Sequence, residues 1–231
     1  MVMRLDAGFR ADPSTATLTA TYDGGSSTAL ELTAGLYLSL DALLDELAAK
    51  LATVTGTAAA THVAGVVTIT WPSSHALVLT WSCPALRDWL GFAGGISSST
   101  GSATGASPSP GVFVASLPWS EPRPVGWELT LLRARHPSGR SRSFRRGLRQ
   151  LHAVTARVLH RELEQFRAVL RTLARGTPGT LYRDAGDVSP WAWDTPTGAL
   201  AVQLVGDRYE DALADGRALL ELELELSEYI A

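Results

Sequence analysis

The residues able to do acid–base, nucleophilic or metal chemistry are few and dispersed. Five histidines, His62, His75, His136, His152 and His160, stand apart, and none has a partner at a metal-ligating interval. The run His160-Arg161-Glu162-Leu163-Glu164 lacks the second histidine, four residues on, that a zinc-binding helix presents. All five therefore read as surface or turn residues. Cys83 precedes Pro84 at the expected start of a short helix, a place that can lower a thiol pKa. Trp81, Leu86 and Trp89 surround it in sequence, which favours a buried, inert thiol. Asp184-Ala185-Gly186-Asp187 resembles a fragment of a calcium loop, but the other ligands are missing and an Asp/Gly turn fits better. There is no Gly-x-Ser-x-Gly elbow, no P-loop and no glycine fingerprint after a strand. The expectation is no catalytic residue, no cofactor and no metal, and hence no enzyme.

Charge placement carries more information. Between Leu129 and Arg161 there is no acidic residue, while Arg133, Arg135, Arg140, Arg142, Arg145, Arg146, Arg149, Arg157 and Arg161 are all cationic. The C-terminal part is acidic through Glu210, Asp211, Asp215, Glu221, Glu223, Glu225 and Glu228. One reading pairs these charges between adjacent strands of one sheet. Another makes them basic and acidic faces that meet between identical subunits and steer ring assembly. On the second reading Arg133, Arg135, Arg142, Arg145, Arg146, Glu221, Glu223 and Glu225 are candidate interface residues. Nucleic acid on the arginines ranks below both, because the segment lacks interleaved aromatics and the chain carries a net charge of −3. Trp119, Trp127, Trp191 and Trp193 suit a core or a subunit contact better than a sugar platform.

The elements that position these residues follow from periodicity. Leu159, Leu163, Phe166, Leu170 and Leu173 make one apolar helical stripe, ended by Gly176-Thr177-Pro178-Gly179. Thr180 to Asp184 reads as a short strand. Before the helix, Val125 to Leu131 alternates like a strand, residues 136–140 form a turn, and 141–157 a long return strand. At the C-terminus Leu220, Leu222, Leu224 and Leu226 alternate with Glu221, Glu223, Glu225 and Ser227, giving one dry face and one acidic face. Residues 199–205 read as a further strand. In the first half, Ser39 is placed to cap a helix over 40–52 with Leu40, Leu43, Leu44, Leu47 and Leu51 on its face. Strands are expected at 15–22, 28–32, 66–71 and 76–81, and a short helix at 84–90 with Pro in its first turn.

These elements predict an α+β fold of two small modules, each an antiparallel sheet packed on one main helix. The expected division is an α+β module over 1–92, a Gly/Ser/Pro-rich linker or arm over 93–110, and a hairpin–helix–strand domain over 111–231. At 231 residues and 45% hydrophobic content the chain is globular, with enough length to bury a core. A single cysteine excludes an internal disulfide. No apolar run reaches membrane-spanning length, and residues 1–6 lack the h-region of a signal peptide.

The run from Trp127 to Leu226 resembles the hub domain of tailed-phage tail proteins of the distal-tail type. Its pieces here are the hairpin of Val125 to Arg157, the helix of Leu159 to Ala174, the Gly176–Gly179 turn, the strand Thr180-Leu181-Tyr182-Arg183-Asp184 and the closing Leu/Glu strand. The first half resembles a module of phage virion proteins through Leu32 to Ser39 before a helix, and Leu86-Arg87-Asp88-Trp89-Leu90-Gly91-Phe92 before a Ser/Thr/Gly-rich segment. The chain departs from that family in carrying an extra module in front, where the family has a strand-rich attachment domain behind. The resemblance implies a structural virion protein, made in the host cytoplasm, that forms a homo-oligomeric ring at the tail tip, baseplate or tail end. Its partners would be copies of itself, the tube and other tail or baseplate proteins. The alternative is a carbohydrate-binding host-recognition module contacting sugar through Trp191 and Trp193.

Overall fold

The computed structural model describes residues 4–12, 16–114, 123–135, 141–174, 177–182, 199–204 and 219–228. In chain order these hold β1 (Arg4–Ala7), β2 (Phe9–Ala11), β3 (Thr17–Tyr22), β4 (Thr28–Glu31), β5 (Gly35–Tyr37), α1 (Leu40–Thr55), β6 (Ala59–Val63), β7 (Val66–Thr70), β8 (Leu77–Trp81), α2 (Pro84–Trp89), β9 (Ile96–Ser98), β10 (Ser102–Thr104) and β11 (Val112–Val114). There follow β12 (Arg123–Arg135), β13 (Ser141–Leu159), a 3-10 turn (His160–Glu162), α3 (Leu163–Ala174), β14 (Gly179–Tyr182), β15 (Ala199–Leu204) and β16 (Leu219–Glu228). The fold is α+β, and every strand pairing among the described residues is antiparallel.

α1 forms where its leucine spacing predicts. Ser39 is extended and its hydroxyl accepts from the Ala42 N–H at 3.3 Å, while Gly56 ends the helix with φ +78°. Leu40, Leu43, Leu44, Leu47 and Leu51 are buried. They join Leu18, Val67, Ile69, Leu77 and Leu79 in one apolar cluster, the last two from β8 and Val67 and Ile69 from β7. A second cluster surrounds α3, whose Phe166, Val169, Leu170 and Leu173 pack with Leu5, Phe113, Val154, Val158, Leu181 and Val202. Phe113 and Phe166 meet edge to face, with centroids 4.9 Å apart. The helix begins later than its apolar stripe suggests, because Leu159 still belongs to β13 and the chain turns through His160–Glu162. Glu162 accepts the Leu159 N–H at 3.3 Å across that turn.

The large sheet has the order β11-β1-β14-β15-β16-β13-β12. Its third and second strands come from opposite ends of the chain: Leu5 stands between Phe113 and Leu181. The N-terminal strand thus lies in the sheet of the second half, not in a module confined to 1–92. Short apolar strands carry no mark of which partner they will choose; here the partners are β11 and β14.

Residues 93–110, expected as a linker or arm, are instead built into the first half. β9 pairs with β8, and β10 with β7. Trp81 donates its indole N–H to the Gly94 carbonyl at 2.8 Å, and the Gly105 and Ser109 N–H groups reach the carbonyls of Val67 and Gly65 at 2.8 and 2.9 Å. Gly91 makes the close approach possible: its φ is +74°, and a Cβ there would lie 2.0 Å from the Ser107 oxygen. A segment poor in apolar side chains is held by backbone hydrogen bonds, which leave no periodicity to read.

Candidate functional site

The basic segment forms a two-stranded arm. β13 runs for nineteen residues. Its C-terminal part, from Leu151 to Leu159, is flanked by β16, whereas Ser141 to Gln150 pairs only with β12 among the described residues. The arm of Trp127–Arg135 against Ser141–Gln150 therefore extends about 30 Å beyond the neighbouring strand at the rise of an extended chain. Isolated two-stranded ribbons are marginal in water, so an arm of this length is suited to a further surface. A register shift between Thr130 and Leu131 leaves Arg146 as the extra residue of a bulge.

The register decides how much of the charge is matched inside the chain. Arg149 stands opposite Glu128, and Arg157 opposite Glu221. The candidate residues fare differently. Arg133 and Arg135 face Ser143 and Ser141, Arg142 faces Ala134, and Arg145 faces Leu131. Glu223 and Glu225 stand opposite Thr155 and Ala153. Arg133 is separated from Glu223 by the length of β13 from Ser143 to Thr155, about 40 Å of extended strand. No arginine side chain spans that. In the Cα register Arg149 and Arg157 thus stand opposite acidic residues, and Arg133, Arg135, Arg142 and Arg145 opposite Ser143, Ser141, Ala134 and Leu131.

β16 lies between β13 and β15. Leu220 and Leu224 stand opposite Val158 and Val154, both fully buried against α3. Glu221, Glu223 and Glu225 alternate with these leucines along the strand. Trp191, Trp193 and the Asp184–Asp187 loop lie outside the described residues, as do Trp119 and Arg140.

A second polar constellation was not foreseen from the sequence. Arg4 and Asp6 are 5 % and 0 % exposed, and stand on the face of β1 away from α3. Arg4 Nε and Nη2 donate to the two Asp6 carboxylate oxygens at 2.8 and 2.9 Å, and Nη2 also reaches Asp41 in the first turn of α1. Asp6 accepts the Leu40 N–H at 3.1 Å, and so caps α1 from a different sheet. The Arg4 guanidinium lies 3.9 Å from the centre of the Tyr182 ring. The signal that could have found this group is Arg-x-Asp within an otherwise apolar strand, since buried charges are paired.

His62, expected on the surface, has a side chain that is 5 % exposed and belongs to this constellation. Its Nδ1 receives the Gly65 N–H at 3.2 Å, and its Nε2 lies 3.1 Å from Asp41 Oδ1 and 3.2 Å from Arg4 Nη1. Both ring nitrogens are thereby engaged, and His62 ties the β6–β7 turn to the start of α1. Cys83, expected to be buried, is half-buried at the start of α2 and makes no capping hydrogen bond through its side chain. His75 is a turn residue as expected, paired with Asp23.

Electrostatics within the constellation follow from its geometry. Burial works against the charge of Arg4, but Asp6 and Asp41 outweigh it and hold the guanidinium ionised above its ordinary value. Burial raises the Asp6 carboxyl, opposed by Arg4 and the Leu40 N–H. Burial likewise pushes the Tyr182 hydroxyl up to about 12. The hydrogen bond from His62, with help from Arg4, holds the Asp41 carboxyl well below the usual carboxylate range. A depressed carboxylate stabilises the fold above its unfolded pKa, and that contribution is lost as pH falls through the folded value. The stability difference between wild type and Asp41→Asn is therefore expected to be full at neutral pH and to shrink from about pH 4 downward. Urea midpoints across that range measure it, and a pH-independent difference would contradict the assignment.

Compared with known proteins, the chain matches no family model, no curated protein and no solved structure.

Proposed function

We propose that this chain is a structural subunit of a phage tail or phage-like particle. Copies of it assemble into a ring at the tail tip, baseplate or tail end, where they contact the tube and other tail proteins. The protein works in the virion, by association and not by catalysis. The observation that carries this reading is the arm: a ribbon reaching past its own sheet, with four arginines set against neutral cross-strand neighbours. Arginines of that kind are matched by acidic residues on another copy, and Glu221, Glu223 and Glu225 of β16 are candidates for them. The order of hairpin, helix, short strand and Leu/Glu strand is also that of the hub domains the sequence resembles.

The native mass in solution tests the proposal. Light scattering at low salt is expected to give a closed oligomer, and high salt to weaken it, because exposed ion pairs are screened. A single-chain mass at both salt concentrations would overturn the ring.

A further inference from the structure

We infer that His62 is a proton-operated latch on the β6–β7 turn: the uncharged ring holds the turn closed, and the charged ring releases Gly65 while staying on Asp41. The latch goes beyond the assembly reading and does not depend on it. A ring nitrogen that accepts a hydrogen bond carries no proton. An imidazolium carries one on each nitrogen, so a charged His62 sets a donor against the Gly65 N–H that Nδ1 receives at 3.2 Å. Imidazole is the side chain whose charge ordinarily changes near neutral pH.

The charges around the ring favour an exchange of partners over unfolding. Nε2 lies 3.1 Å from Asp41 Oδ1 of α1 and 3.2 Å from Arg4 Nη1 of β1. Asp6 binds Arg4 through both carboxylate oxygens, and Tyr182 of β14 covers the guanidinium. β7 sets only Val67 opposite His62. Among the described residues, two carboxylates thus face one guanidinium, and a positive ring completes a neutral set. Asp41 keeps its charge while the ring titrates, being held well below the usual carboxylate range. The charged ring gains an ion pair where it loses a neutral hydrogen bond.

The turn itself is poised to respond. Ala64 and Gly65 both have positive φ, +50° and +83°, a conformation that is costly for alanine. The His62–Gly65 bond offsets that cost, and its loss frees the turn to relax. Backbone hydrogen bonds carry the consequence onward. The Gly65 carbonyl receives the Ser109 N–H at 2.9 Å, the Ser109 carbonyl the Val112 N–H at 3.2 Å, and the Gly111 carbonyl the Ala7 N–H at 2.7 Å. The turn is thereby tied to the start of β11 and to β1, the strand that carries Arg4.

Mass spectrometry on the full chain reads both events, whatever its oligomeric state. Exchange at the ring C2–H reports the charge of His62. Amide exchange in the peptide carrying Gly65, corrected for the intrinsic pH dependence of exchange, reports the turn. Between about pH 8 and about pH 5, protection of that peptide is expected to fall about tenfold, the scale of one hydrogen bond, along the curve of the ring. His62→Gln offers a side-chain carbonyl that receives an N–H without titrating, and is expected to keep its protection across the range. Protection that stays constant while the ring charges overturns the latch. So does a ring that stays uncharged until the whole chain unfolds, and so does a fall that persists in His62→Gln. Should that variant fail to fold, the wild-type curves decide alone, since a turn that opens away from the midpoint of the ring overturns the inference.

Discussion

Replacing Asp6 by alanine is expected to lower the unfolding free energy by about 3–5 kcal/mol, because it strips a buried cation of its bidentate partner. Arg4 is 5 % exposed and cannot recover water without pulling β1 from between β11 and β14. The same change removes the acceptor of the Leu40 N–H and leaves the start of α1 without that cap. Asp41 retains its hydrogen bond to Arg4 and moderates the loss, which places the expected value near the lower bound. Replacing both partners, Arg4→Met with Asp6→Leu, is expected to cost less than Asp6→Ala alone, since no orphan charge remains. Urea denaturation of the three chains decides the matter. An Asp6→Ala protein within about 1 kcal/mol of wild type would show that the buried pair contributes no more than an exposed one.

Truncating Phe166 to alanine is expected to cost about 3–5 kcal/mol, as for other large side chains removed from a packed core. Phe166 is fully buried and meets Phe113 from β11 edge to face, in one cluster with Leu5 from β1. Those two strands bracket the first half in sequence, and Trp89 of α2 touches both apolar clusters. The damage is therefore not confined to the second half. A single unfolding transition, shifted as a whole, is expected when helical circular dichroism and tryptophan fluorescence are followed together. Two separated transitions, only one of which moves, would mean that the two clusters unfold independently. In that case β1 would be a passive tie.

The local elements were legible because their causes are local. The leucine spacing in α1 and α3, the Ser39 cap, Pro84 at the start of α2 and the Leu/Glu alternation of β16 each fix a backbone state within a few residues. The hairpin of β12 and β13 was equally plain, since two alternating runs flank a turn of Pro and Gly. By contrast, β9 and β10 were missed. Ser, Thr and Gly show no apolar period, and these strands exist because β8 and β7 offer open backbone groups. Ile96 was the one apolar anchor visible there, and it is buried.

The sequence by itself determined where charge collects: arginines over 133–149 and glutamates over 221–225. Whether those charges cancel was a question of register, which depends on hydrogen bonds between strands far apart in the chain. The register pairs Arg149 with Glu128 and Arg157 with Glu221, and carries Arg133 and Arg135 out along the arm. Tertiary structure alone also decided that β1 crosses into the distant sheet, and that Arg4, Asp6, Asp41 and His62 meet. A three-residue motif such as Arg-x-Asp fixes only that two side chains share one face of a strand. What lies against that face comes from helix α1, thirty-odd residues away, and no local preference records it.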